Sequence, residues 1–289
     1  MPELSLEEVK PSALTAEMVA GLRHARYKTP ETAALSTAMG RMLSRLLTMV
    51  APHDVVNTGN VRSDAFAYLI GQNFPPEAVS QPVYVEVASG YALRPLLMAR
   101  QYPHARFIEV DVPAVIADKQ ERYAKANIDL PPNLEFRSDD LTQQPLASIL
   151  DGQQAHMVVA EGLLIYLEHD YIRQLSHNLL TGMADGAHFV AEIVYASKQD
   201  LNAVGGIVRA IRRNTGSDVA RGRVESKEQG LELLRSSGYA DSNVYIFDDL
   251  QAEADLEKAY RNLLLLLHGR KGSASTDTPS KPPEETETT

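Results

Sequence analysis

The sequence has no cysteine, which excludes disulfides, thiol nucleophiles and thiolate metal sites and fits a cytoplasmic setting. It has no basic excess either. The formal net charge is −10, so neither nucleic acid nor an anionic membrane is an expected partner. No apolar run approaches the roughly 20 residues that a helix needs to cross a bilayer. The N-terminal MPELSLEEVKPSAL is acidic and lacks the apolar core of a secretion signal. Triad and phosphate-loop patterns are missing. No two histidines stand at metal-ligand spacing, and His53, His156 and His169 read as structural. What is present is 289 residues, 44% of them hydrophobic, enough for one large domain or for one domain plus an accessory segment.

The chain is organised around residues 82–111. An apolar run ends at Glu86, a small-residue turn follows (Ala88-Ser89-Gly90), a helical stretch covers Leu93 to Arg100, and a second apolar run ends at Asp111. Asp111 stands 21 residues after Gly90, about the spacing at which a Rossmann-like unit sets a carboxylate against a ribose diol. Small residues let the backbone approach a ligand, and the next helix offers free N–H groups.

Before this unit the pattern is helical: a short helix from Thr15 to Tyr27, capped by Thr15, and a longer one from Thr32 to Val50. The longer helix carries Leu35, Met39, Met42, Leu43, Leu46 and Leu47 on one face, and a third helix covers Val61 to Gln72. These set residues 1–80 apart as an N-terminal helical cap or lid on a domain spanning 81–270. Beyond the unit, helices at Pro113–Lys125, Glu168–Met183 and Ser226–Ser237 alternate with strands at Asn133–Arg137, Met157–Ala160, Ala187–Val194 and Asn243–Phe247. That alternation predicts an α/β architecture, a mostly parallel Rossmann-like sheet flanked by helices. A basic helix is expected at 198–214. Asp255 to His268 reads as a helix whose five leucines, Leu263 to Leu267, call for burial on both sides or a subunit contact, which leaves a homo-oligomer open. Residues 271–289 have the composition of a disordered tail.

Four segments resemble the leucine carboxyl methyltransferase-like branch of class I S-adenosylmethionine-dependent methyltransferases, a branch that includes polyketide O-methyltransferases. They are VEVASGYALR (Val85 to Arg94), EVDVP (Glu109 to Pro113), Asp140-Leu141 and EGLLIYL (Glu161 to Leu167), the last being the most specific. The resemblance implies that S-adenosyl-L-methionine is the cofactor and a small molecule the acceptor. It implies that Glu86, Ala88 and Gly90 lie along the methionine and ribose, and that Asp111 holds the ribose hydroxyls. Asp140 and Leu141 would meet the adenine, Glu161 the methionine amino group and Arg62 its carboxylate. Tyr166, inside the EGLLIYL run, is the candidate catalytic residue on the substrate side, with core packing as its alternative role. The family usually has Gly where Ala88 stands and Asp-Thr where Ala92-Leu93 stand; Arg94 keeps its place.

Methyl transfer from a sulfonium asks the protein mainly for alignment and a dry pocket. A carboxylate acceptor needs no base, whereas a phenol, with a pKa of about 10, benefits from one. No base stands out in the sequence, which leans the expectation toward a carboxylate. Two alternatives remain at this stage: a non-catalytic cofactor-binding homologue and an NAD-dependent oxidoreductase. The second explains Gly90 and Asp111 but not EGLLIYL.

Overall fold

The computed structural model describes residues 13–75, 79–197, 221–258 and 260–273. Residues 1–12, the basic helix expected at 198–214 and the tail from 274 onward lie outside the described residues.

Four helices lead in: α1 (Ala13–Tyr27), α2 (Pro30–Leu35), α3 (Ala38–Val50) and α4 (His53–Asn73). The single helix expected over Thr32–Val50 is broken in two. Ser36 and Thr37 are extended, and Thr37 Oγ1 accepts from the Gly40 N–H at 3.0 Å, so a new helix is capped where the old one stops. The α1–α3 crossing is close because both helices bring a glycine to it: a Cβ added at Gly21 would lie 2.3 Å from the Gly40 carbonyl oxygen. This packing turns the apolar stripe of α3 away from the core. Met39, Met42 and Leu46 are about half exposed instead of forming the buried face that their periodicity suggested. Helix α4 starts eight residues before the expected Val61 and buries Val61, Ala65, Phe66, Leu69 and Ile70.

Next come β1 (Val83–Val87), α5 (Arg94–Gln101), β2 (Arg106–Asp111), α6 (Pro113–Lys125), β3 (Leu134–Ser138), β4 (Ala155–Ala160), α7 (His169–Gly182) and β5 (Met183–Val194). The chain continues with α8 (Lys227–Ser236), β6 (Asp241–Tyr245), a short α9 (Phe247–Leu250) and β7 (Leu264–Arg270). The sheet order is β3-β2-β1-β4-β5-β7-β6. Strands β3, β2, β1, β4 and β5 pair in parallel, and β7 runs antiparallel to both β5 and β6. The strand order reverses between β1 and β4, and in such sheets ligands bind outside the carboxyl ends of the strands at that reversal.

The leucine run corrects the sequence reading. Residues expected to be helical up to His268 form strand β7, so Asn243–Phe247 is not the last strand. Leu265 and Leu267 enter the core on one face of the sheet, and Leu266 enters the core on the other. A strand packed on both faces reads as a continuous apolar run, and leucine's helix propensity conceals it. Burial on both sides, one of the two readings of that run, is what the structure has. Among the described residues no helix is long and apolar enough to cross a membrane.

Candidate active site

The turn after β1 brings the sequence-predicted ligand residues together. Ala88 adopts a left-handed conformation (φ 51°), as does Gly90 (φ 46°). The strain at Ala88 explains why a glycine would be easier there. The turn is held by Asp111, whose Oδ2 accepts from the Gly90 N–H at 2.7 Å and whose Oδ1 accepts from the Val112 N–H at 2.7 Å. A carboxylate has about four acceptor positions, so each oxygen keeps capacity for a hydroxyl. Burial raises the Asp111 carboxyl, and the two backbone N–H groups pull it back. Among the described residues, a Cβ added at Gly90 would meet only the Ala88 carbonyl oxygen, at 3.9 Å, and one added at Gly162 would meet nothing within 4 Å. Both turns therefore border open space.

Beneath these turns lies a row of acids that the sequence does not reveal as a row. Glu86 on β1 is in register with Glu109 on β2. Glu86 and Val190 are both in register with Val159 on β4. Because alternate residues share a face, Glu109, Glu86, Glu161 and Glu192 line one side of the sheet at the carboxyl ends of four neighbouring strands. Their side chains are 0%, 1%, 3% and 0% exposed. A buried carboxylate needs a cation or donors, and each acid finds one on a helix. Lys119 of α6 pairs with Glu109, and Arg94 of α5 with Glu86 at 2.8 Å. Arg62 of α4 lies 3.3 Å from Glu192. Glu161 collects Arg23 of α1 at 3.2 Å, Arg62 at 2.9 Å and Arg94. Four acids meet four bases, so the buried cluster is balanced.

The environments differ along the row. Burial alone would raise Glu161, but Arg94, Arg62 and Arg23 outweigh it and hold this carboxyl well below the usual range. Burial pushes Glu192 up to about 7, with Arg62 pulling it back and Glu161 pushing it further. Burial likewise raises Glu86 against the pull of Arg94, and Tyr84 donates to its second oxygen.

The other sequence-predicted positions find their partners within the chain. Asp140 Oδ1 accepts from the Thr142 N–H at 2.9 Å and its hydroxyl at 2.6 Å, so it caps the turn after β3, and Leu141 is buried behind it. Tyr166 sits in a 3-10 turn (Leu164–Tyr166) and packs into the core at 9% exposure. Burial raises its hydroxyl while the charge of Arg62 opposes. His156 Nδ1 accepts from the Val83 N–H at 3.2 Å, and His169 Nε2 lies 2.8 Å from the Gly222 carbonyl. Sequence reasoning missed Arg23 and Glu192. Arg23 stands 138 residues from its partner Glu161, and no local pattern could have marked it. Glu192 did leave a signal, a lone charge inside the apolar strand HFVAEIV.

Comparison with known proteins gives a partial family match and a shared fold. The sequence model of leucine carboxyl methyltransferase matches residues 53–180, somewhat less than half of the chain. No curated protein matches the sequence. Among solved structures, an O-methyltransferase family protein from Burkholderia thailandensis superposes with a TM-score of 0.51 at 13% identity, covering 84% of this chain and 63% of that one. Human N-acetylserotonin methyltransferase in complex with SAM gives 0.51 at 13% identity over 87% of this chain and 59% of that one. Magnesium protoporphyrin IX methyltransferase from Synechocystis, with bound SAH, gives 0.51 at 10% identity over 80% and 95%. The chain thus spans about three fifths of the length of the first two structures. The chain has a Rossmann-like methyltransferase fold and is similar over residues 53–180 to the leucine carboxyl methyltransferases.

Proposed function

We propose that the protein binds S-adenosyl-L-methionine at the carboxyl ends of β1, β2 and β4 and transfers its methyl to an oxygen of a small molecule. The observation that carries this reading is the conjunction of Asp111, with acceptor capacity left beside an open glycine turn, and a charge-balanced arginine–glutamate cluster next to it. Ribose offers a diol to Asp111. The methionine end is a zwitterion, one ammonium and one carboxylate, and enters a balanced cluster without changing its net charge. In this reading Glu161 receives the ammonium and Arg62 the carboxylate, with Ala88 and Gly90 along the chain between them. Glu86 holds Arg94 in place behind that contact. Asp140 and Leu141 border the adenine, and residues 13–73 contribute Arg23 and Arg62 as a cap over the methionine end.

When bound, the cofactor supplies a methyl on a sulfonium, and the sulfur keeps the electron pair of the carbon–sulfur bond that breaks. The protein's own part is to align the acceptor, to exclude water with the N-terminal helices, and to manage the acceptor's proton. The test is incubation with S-adenosylmethionine and a panel of small phenols, alcohols and acids, following S-adenosylhomocysteine release. Release that depends on an acceptor, with one added methyl on its oxygen, supports the reading. Binding without transfer to any oxygen, or transfer to nitrogen or carbon alone, refutes it.

A further inference from the structure

We propose that Glu192 is the group that takes the acceptor's proton, and that the substrate class is therefore hydroxyl compounds rather than carboxylic acids. This rests on the methyl-transfer reading above.

Glu192 follows Ala191, which pairs with Ala160, so it lies level with Glu161 at the outer end of the acid row. Its Oε1 is fixed: it accepts from the Gly162 N–H at 2.8 Å and lies 3.3 Å from Arg62 Nη1. Its Oε2 is buried and has no partner among the described residues, and the same is true of Arg62 Nε. Thus one ion pair carries an unsatisfied acceptor on one side and an unsatisfied donor on the other. Buried polar atoms in this state call for a partner. A hydroxyl answers both, because it donates and accepts at once. An ionised carboxylate only accepts, and it would meet Glu192 with like charge. The other acids differ. Both oxygens of Glu161 and both of Glu86 are engaged. Glu109 also has an unpartnered oxygen, but it sits beside fully buried Lys119 on β2, three strands from β5. Gly162, which donates to Glu192, is the residue whose missing side chain leaves open space.

The charges facing Glu192 come from every side. Arg62 approaches from α4, and Glu161 and the Gly162 N–H from the turn after β4, while Arg94 acts from α5. Arg23 reaches the group through Glu161, and β7 places only Leu266 opposite. Together they leave Glu192 titrating near 7, which suits a base working at neutral pH. Tyr166, raised by burial, keeps its own proton and serves to line the site. In the step, the O–H bond of the acceptor breaks and its proton passes to Glu192 Oε2. The electron pair stays on oxygen and forms the bond to the methyl carbon as the carbon–sulfur bond breaks. Arg62 stabilises the negative charge that develops on that oxygen.

The test pairs E192Q with aromatic probes that share one ring and carry either a hydroxyl or a carboxyl. Expected are methyl ethers and no esters from the wild-type protein, and a kcat/KM that rises with pH through an apparent pKa near 7. E192Q should lose that limb and about 100- to 10,000-fold in kcat/KM, the range for a general base, while its S-adenosylhomocysteine affinity stays within threefold. Methyl esters as the products, or a pH limb that survives in E192Q, would overturn the assignment. Should no probe react, the titration decides: with carbon-13 glutamate label, the complex with S-adenosylhomocysteine should show one carboxyl titrating near pH 7 that is absent from E192Q. A Glu192 carboxyl titrating below pH 5 overturns the proposal. Failure of the wild-type protein to bind S-adenosylhomocysteine would instead sink the methyl-transfer reading itself.

Discussion

Replacing Glu192 by Gln tests the electrostatics of the acid row without reference to catalysis. Glutamine keeps the shape and an oxygen for the Gly162 N–H, and removes the charge together with its titration. The Glu192 pKa is about 7 in the folded protein against the ordinary 4.5, a difference of roughly 2.5 units, or about 3 kcal/mol at 1.36 kcal/mol per unit. The folded pKa is raised, so the native state holds the proton more tightly than the unfolded chain does. Below pH 4.5 both states are protonated and no penalty exists. Between pH 4.5 and 7 the wild type loses stability relative to E192Q, and above pH 7 the difference is constant. The other acids of the row are present in both proteins and largely cancel. Urea unfolding of both at pH 5, 6, 7 and 8 should therefore show the stability of E192Q minus that of wild type rising by about 2.5 kcal/mol across that range, most of it before pH 7. A difference independent of pH, or one that falls as pH rises, would refute the reasoning.

Three further outcomes are expected. Asp111→Ala removes the acceptor that faces the β1 turn and should weaken S-adenosylhomocysteine binding by about 1–3 kcal/mol by calorimetry; unchanged affinity in a folded variant would remove the ribose role. Ala88→Gly relieves a left-handed alanine, worth about 1–2 kcal/mol, against a glycine entropy cost of about 0.4–1 kcal/mol. Urea unfolding should show it neutral to slightly more stable, and a loss above about 1 kcal/mol would contradict the strained turn. Gly21→Ala forces a Cβ against the backbone of Gly40 and should cost about 1–3 kcal/mol, which a thermal melt would show; an unchanged melting temperature would refute the close crossing of α1 and α3.

The sequence is most legible where structure is local. The β1–turn–α5–β2 unit lies within two residues of its expected bounds, and Pro113–Lys125 forms the helix that its pattern predicts, because proline starts, strand runs and caps act over a few residues. Legibility fails where the deciding contact is distant. Nothing near Leu263–Leu267 says that β5 and β6 will flank it, so its leucines read as a helix. The break at Thr37 turns on a single capping hydroxyl inside a strongly apolar helical pattern. At the site, Glu161 could be expected to need cations, and it has three, but which arginines supply them is fixed by packing across the whole fold. The absence of a visible base, which favoured a carboxylate acceptor, reflects the same limit: Glu192 acquires its unusual setting only from burial beside Arg62.

The claim on which the rest depends is that Asp111, Glu161 and Arg62 form a S-adenosylmethionine site. Calorimetric titration of the full chain with S-adenosylhomocysteine, with NAD as the control, tests it most directly. The account predicts micromolar binding of S-adenosylhomocysteine and no heat with NAD. No binding of S-adenosylhomocysteine, or tighter binding of NAD, would contradict it.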